Sequence, residues 1–68
     1  MSEELIVRLR EKRTGLGWTQ AELAERIGVS RKTINTIENG VFVPSTVLAL
    51  KLAKAFGTNV EALFALND

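Results

Sequence analysis

Apolar residues recur along this chain in short runs at helical spacing. Leu5, Leu9 and Leu16 fall on one face of a segment from about Glu3 to Leu16. Two shorter segments follow, about 20–27 and 31–39, in which Ala24, Ile34 and Ile37 turn to one side. Ala49, Leu52, Ala53 and Phe56 make the inward stripe of a fourth segment, about Thr46 to Phe56, and a fifth runs from about Val60 to Leu66. No stretch shows the strict alternation of a half-buried strand. The pattern predicts an all-α protein, a compact five-helix bundle.

Punctuation between the runs agrees. Ser2 is the expected cap of the first helix and Gly17 its stop, while Gly15 weakens the last turn by about 1 kcal/mol relative to Ala. Thr19 followed by Glu22 is a capping box, in which each side chain satisfies a free backbone N–H of the other residue. Ser30, Ser45 and Asn59 are helix-opening residues of the same kind. Asn39-Gly40 ends the third helix, Gly57 the fourth, and Pro44 marks an extended approach to the fourth. Gly28 can adopt the left-handed conformation that ends a helix. Two helices joined by Gly28-Val29-Ser30 describe a helix-turn-helix over about residues 19–40. The small Ala24 lets the second helix of the pair cross closely, and Val29, Ile34 and Ile37 fix the crossing angle.

Sixty-eight residues point to one domain, 1–68, which buries only about 60% of its unfolded-chain surface. There is no Cys and no His, which removes disulfides, thiolate metal sites, the commonest metal ligand and the commonest general base. No metal or cofactor is expected, and no catalytic constellation can be assembled. No apolar run approaches the roughly 20 residues that span a bilayer, and the acidic start Ser2-Glu3-Glu4 is unlike a signal peptide. A cytoplasmic protein without a membrane partner is the expectation. The overall charge of +1 conceals an asymmetry. Residues 8–32 carry seven basic residues against three acidic, a local net of +4. The remainder carries two against five, a net of −3. A one-sided field suits a polyanion on the side of the helix-turn-helix, although a mixed solvated surface would share the same composition.

Gln20, Ala24, Gly28, Val29, Ile34 and Ile37, with both caps, resemble the DNA-binding domain of the lambdoid phage repressor and Cro family, also called the XRE family. Gln-Ala-Glu-Leu-Ala at 20–24 and Ile-Glu-Asn-Gly at 37–40 are especially similar to phage repressor heads, and the resemblance covers about residues 5–64. It implies that the helix at 31–39 is the recognition helix, lying in the major groove of double-stranded DNA. Lys32, Asn35, Thr36 and Asn39 point away from the buried Ile34 and Ile37 at 3.6 residues per turn. By resemblance Arg31, Lys32 and Thr36 hold base-reading positions, with Asn35 as a fourth. Arg or Lys can donate to guanine O6 and N7, and a Thr methyl can touch the thymine methyl. Gln20 opens the second helix, where free N–H groups attract an anion. Resemblance places Gln20 on a backbone phosphate, Asn39 near another, and Thr19 beside them. It also pairs Arg13 with Glu38, as a structural ion pair between the first and third helices. Each of these polar residues has a plainer reading as part of an exposed face or a turn.

One departure stands out. The connector after the third helix often carries Lys or Arg in this family, whereas here it is Val41-Phe42-Val43. Either these residues pack under the domain or they form an apolar patch that meets a partner. The fourth helix has a similar surplus, in Val47, Leu48, Leu50 and Ala55. A wider core, a further domain or a homodimer contact would each account for it. Leu48, Leu50, Phe64 and Leu66 are the candidate dimer residues. The leading function is sequence-specific double-stranded DNA binding as a transcriptional regulator. The alternative is a protein-interaction head, antitoxin-like or adaptor-like, whose main partner is another protein.

Overall fold

A computed structural model describes residues 4–67. The element order is β1 (Glu4–Val7), α1 (Leu9–Gly15), α2 (Gln20–Ile27), α3 (Arg31–Glu38), α4 (Thr46–Phe56), α5 (Val60–Leu63) and β2 (Phe64–Asn67). The five expected helices are present, together with a small two-stranded antiparallel sheet.

That sheet corrects the reading of both chain ends. The helical reading covers residues 4–7, at the start of the first helix, and 64–66, at the end of the fifth. The structure has strands there instead, Glu4–Val7 and Phe64–Asn67, in the register Glu4↔Asn67, Leu5↔Leu66, Ile6↔Ala65 and Val7↔Phe64. Ile6 and Val7 are β-branched and favour extended backbone. The Arg8 N–H donates to Leu63 O at 2.8 Å, so pairing continues to where α1 begins. The expected cap Ser2 lies outside the described residues. Shortening α1 also moves Leu16 off its inward face, leaving it 53% exposed after the helix ends.

Elsewhere the caps determine the boundaries. Thr19 and Glu22 make the reciprocal capping box, with Glu22 N–H donating to Thr19 Oγ1 at 3.0 Å and Thr19 N–H to Glu22 Oε1 at 2.8 Å. Those bonds, led by the backbone one, hold the Glu22 carboxyl below its ordinary pKa. Ser30, Ser45 and Asn59 each accept a backbone N–H from three residues on. Gly28 ends α2 with φ of 75°, a left-handed conformation that costs other residues sterically, and this turns the chain into α3.

The core is continuous. Leu9, Leu23, Ile34, Ile37, Leu52 and Leu63 are fully buried, one or more from each helix. Ala24 of α2 is buried in this core, and Val29 packs against it from the turn. On the side of α4, Trp18 stacks on Phe56 with ring centroids 5.3 Å apart, and the Arg26 guanidinium lies 4.1 Å over the Trp18 ring. Phe64 is buried in its own chain and Leu48 is half-buried, so neither offers the free surface expected of a dimer residue. Leu50 and Leu66 are both 57% exposed.

Candidate nucleic-acid interface

The helix-turn-helix presents α3 with Ile34 and Ile37 against the core and its other residues along two flanks. The caps leave Arg31 and Lys32 exposed at the N-terminal end. The flank toward α1 and α2 carries Arg31, Asn35, Glu38 and Asn39. The flank toward the connector carries Lys32, Thr33 and Thr36.

The first flank is a hydrogen-bonded network centred on Glu38, whose side chain is completely buried. Arg13 Nε donates to Glu38 Oε2 at 2.6 Å, and Arg13 Nη2 to Oε1 at 3.2 Å. Oε1 also accepts from Gln20 Nε2 at 3.0 Å and Arg10 Nε at 3.3 Å. A buried carboxylate is costly unless paired and fully hydrogen-bonded, and this one meets both conditions. Burial alone would push the Glu38 carboxyl up. The hydrogen bonds from Arg13, Gln20 and Arg10, with the charge of Arg13, outweigh it and hold the group below the usual carboxylate range. Arg13 Nη1 is tied in turn to Trp18 O at 2.8 Å, which fixes the guanidinium plane between α1 and the entry to α2.

From Glu38 the network reaches the candidate DNA contacts. Gln20 Nε2 donates its second hydrogen to Asn35 Oδ1 at 3.2 Å, and Gln20 Oε1 accepts from Arg31 Nη1 at 3.4 Å. Asn39 Nδ2 donates to the same Asn35 oxygen at 3.3 Å, while Asn39 Oδ1 accepts from Arg10 Nη2 at 2.8 Å. The oxygen of Asn35 is therefore occupied twice, and among the described residues its Nδ2 meets no acceptor. Both amide hydrogens of Gln20 are spent inside the protein. Thr19 Oγ1 accepts from Glu22, which leaves its hydroxyl hydrogen to donate outward.

The second flank has little polar bonding. Thr36 Oγ1 donates to Thr33 O at 2.9 Å, so its hydroxyl hydrogen is used along the helix. Lys32 is exposed and has no carboxylate partner among the described residues. The connector folds back here: the N–H groups of Val41 and Phe42 donate to Thr36 O at 2.9 and 3.2 Å. Ser30, Lys32, Thr33, Thr36, Val41 and Phe42 enclose an open notch of about 340 Å³. Val41 is 78% and Phe42 45% exposed, so the connector does not pack under the domain.

Two features escaped the sequence reading. Arg10 joins Arg13 on Glu38, and its only sequence signal is the three-residue spacing of two arginines on one helix. The stack of Trp18, Phe56 and Arg26 was also missed, although a single Trp between two helices is a visible marker. Among the described residues no group of three or more His, Cys, Asp or Glu is placed to hold a metal ion. None of the helices described is long and apolar enough to cross a membrane.

Comparison with known proteins agrees with this geometry. Residues 9–63, from the start of α1 to the end of α5, match the HTH_3 helix-turn-helix family model. An uncharacterized HTH-type transcriptional regulator of Methanothermobacter thermautotrophicus is 48% identical over 61 residues, covering 88% of each chain. The restriction-modification controller protein C.AhdI from Aeromonas hydrophila superposes with a TM-score of 0.75 at 39% identity, covering 79% of this chain and 82% of that one. The master regulator for biofilm formation SinR, solved in complex with DNA, gives 0.73 at 27% identity over 79% of this chain and 87% of its own. The chain belongs to the helix-turn-helix family of DNA-binding transcriptional regulators, of the HTH_3 or XRE type.

Proposed function

We propose that residues 9–63 form one DNA-binding unit of a cytoplasmic transcriptional regulator, with α3 lying in the major groove of a specific duplex site. The observation that carries this reading is the state of the exposed side chains of α3. Arg31 and Lys32 are exposed at its N-terminal end, the part of a recognition helix that meets base edges, and Arg31 gives up only one N–H, to Gln20 Oε1 at 3.4 Å. Arg31 and Lys32 donate to guanine O6 and N7. Asn35, its oxygen already occupied, acts as a donor through Nδ2 and does not form the two-bond pairing with adenine. Thr36 offers its methyl.

Phosphate contacts flank these base readers. The Thr19 hydroxyl and the backbone N–H of Gln20 open α2, where the helix dipole favours an anion. The side chain of Gln20 is committed to Asn35, Glu38 and Arg31, so its share of phosphate binding falls to the backbone. Asn39 keeps one amide hydrogen for a second phosphate at the far end of α3.

One head covers one half-site, so two copies bind a two-fold site with recognition helices roughly 34 Å apart. The apolar groove of about 240 Å³ lined by Val43, Pro44, Leu50 and Val60 is the surface for a second copy, and Val47 and Leu66 add exposed apolar area elsewhere on α4 and β2. Such an interface also supports the second reading, a head whose main partner is another protein. Selection from a random duplex pool, followed by sedimentation on a palindromic version of the winner, tests the proposal. Enrichment of one sequence and a 2:1 complex are expected. Enrichment of nothing removes the DNA reading, and a strict 1:1 complex at saturating protein removes the dimer.

A further inference from the structure

The connector flank of α3 is apolar where DNA-facing surfaces are ordinarily charged. Val41 and Phe42 cannot neutralise a phosphate, yet both are exposed and both are pinned through their N–H groups to Thr36, a proposed base reader. The notch they form with Thr33 and Thr36 is continuous with the interface, since Lys32 and Thr36 line it as well. A protein seated there would compete with the duplex for Lys32 and Thr36. The duplex itself presents one apolar group on the floor of the major groove, the C5-methyl of thymine, and aromatic and Thr methyl side chains are suited to meet it.

We infer that the notch between α3 and the connector receives the C5-methyl edge of a thymine, and that Phe42 sets a thymine preference at that position of the site. The inference rests on the DNA reading above and adds a specificity determinant outside the recognition helix. Three features support it. The connector is fixed by two hydrogen bonds to one carbonyl, so Phe42 is held in register with α3. The Thr36 hydroxyl hydrogen is donated back to Thr33 O, so the side chain offers the notch its methyl and no donor. The separate groove proposed for the second copy is lined by Val43 and not by Val41 or Phe42.

The test replaces each thymine of the selected site, one at a time, by deoxyuridine. This removes only the methyl and keeps base pairing and O4. At one or two positions the intact protein should bind the uracil duplex about fourfold more weakly, the worth of about one buried methyl group. In F42A the same substitution should have no effect at that position, while discrimination at the guanines read by Arg31 or Lys32 persists. T36S keeps the hydroxyl bond to Thr33 and should lose part of the uracil penalty. It carries the test if F42A fails to give the far-ultraviolet circular dichroism of the parent. The inference is overturned if no thymine is sensitive, or if F42A retains the full penalty. It is also overturned if F42A weakens every duplex equally, as a contact to sugar would. A protein that selects no sequence at all fails the DNA reading first and takes this inference with it, so the two failures are told apart by the intact protein alone.

Discussion

The two flanks of α3 solve different problems. Toward α1 and α2, Glu38 gathers Arg10, Arg13 and Gln20, and through Gln20 and Asn39 the same bonds reach Arg31 and Asn35. Toward the connector, the side chains of Lys32, Val41 and Phe42 have no polar partner among the described residues, Thr36 bonds only to its own segment and the connector backbone, and the notch stands open. One flank is held by buried charge and the other is available to a ligand. The lesson concerns where a small domain places its risk. A buried carboxylate with four donors is strongly stabilised as a set and fails when one member is lost. An exposed apolar pair contributes little to the fold and can serve recognition.

The contrast is broken most forcefully at Glu38. E38A leaves the Arg13 guanidinium in a site with 11% side-chain exposure and no carboxylate, which should cost about 3–5 kcal/mol. Total stabilities run from about 5 to 15 kcal/mol, so a domain of this size should be close to unfolding. Urea titration followed by Trp18 fluorescence reads the loss directly. F42A on the opposite flank should change stability by less than about 1 kcal/mol, because Phe42 is near the surface. Equal losses at the two sites would erase the distinction.

Base reading comes next in size. R31A or K32A should cost about 1–3 kcal/mol on the preferred duplex and relax discrimination at one or two base pairs, with the fold intact. Gel shifts on single-base variants of the site check it. Unchanged discrimination in both variants would move base reading off the N-terminal end of α3.

Acid should act through the polar flank. The folded-state pKa of Glu38 lies below its unfolded value, so its contribution to stability is complete above the ordinary carboxylate pKa of about 4.3 and is lost as pH falls through the folded value. Stability should be level from neutral pH down to about 5 and then decline. E38Q should flatten that acid limb, leaving a smaller slope from Glu22, whose pKa is also held down. Thermal melts of both proteins across this range measure the difference, and identical acid limbs would contradict the assignment.

The smallest effect on duplex binding belongs to Gln20, which links the two roles. Q20A removes a hydrogen bond to Asn35 worth about 1 kcal/mol, one to the charged Glu38 carboxylate worth about 1.5–3 kcal/mol, and the acceptor of Arg31, and it frees Arg31 and Asn35 to move. Affinity should fall modestly for all duplexes, with some added loss of discrimination where Arg31 and Asn35 read. A change in affinity alone would place Gln20 with the phosphates only.

Local chemistry was readable and distant chemistry was not. The boundaries of α2, α3 and α4 follow from Thr19, Ser30, Ser45, Gly28 and Gly57, each acting within a few residues of itself. The Arg13–Glu38 contact was reached through family resemblance, and the structure has it at 2.6 Å. Arg10 and Gln20 on the same carboxylate were not anticipated, because their approach depends on how three helices cross. The strands were missed for a related reason. Leu5-Ile6-Val7 is too short to show alternation, and its partner lies at the other end of the chain. Leu5 and Leu16 were then assigned to one helical face that the folded chain does not have. Phe64, read as free surface, is core, since β2 turns it inward beside Leu63.

The central claim is that α3 reads a duplex sequence, and affinity measured against salt on two duplexes tests it most directly. On the selected site and on a scrambled duplex, log affinity should fall linearly with log salt, by about 0.9 for each phosphate neutralised. At physiological salt the selected site should stay at least about a thousandfold tighter. Equal, weak affinity for both duplexes at that salt would contradict it.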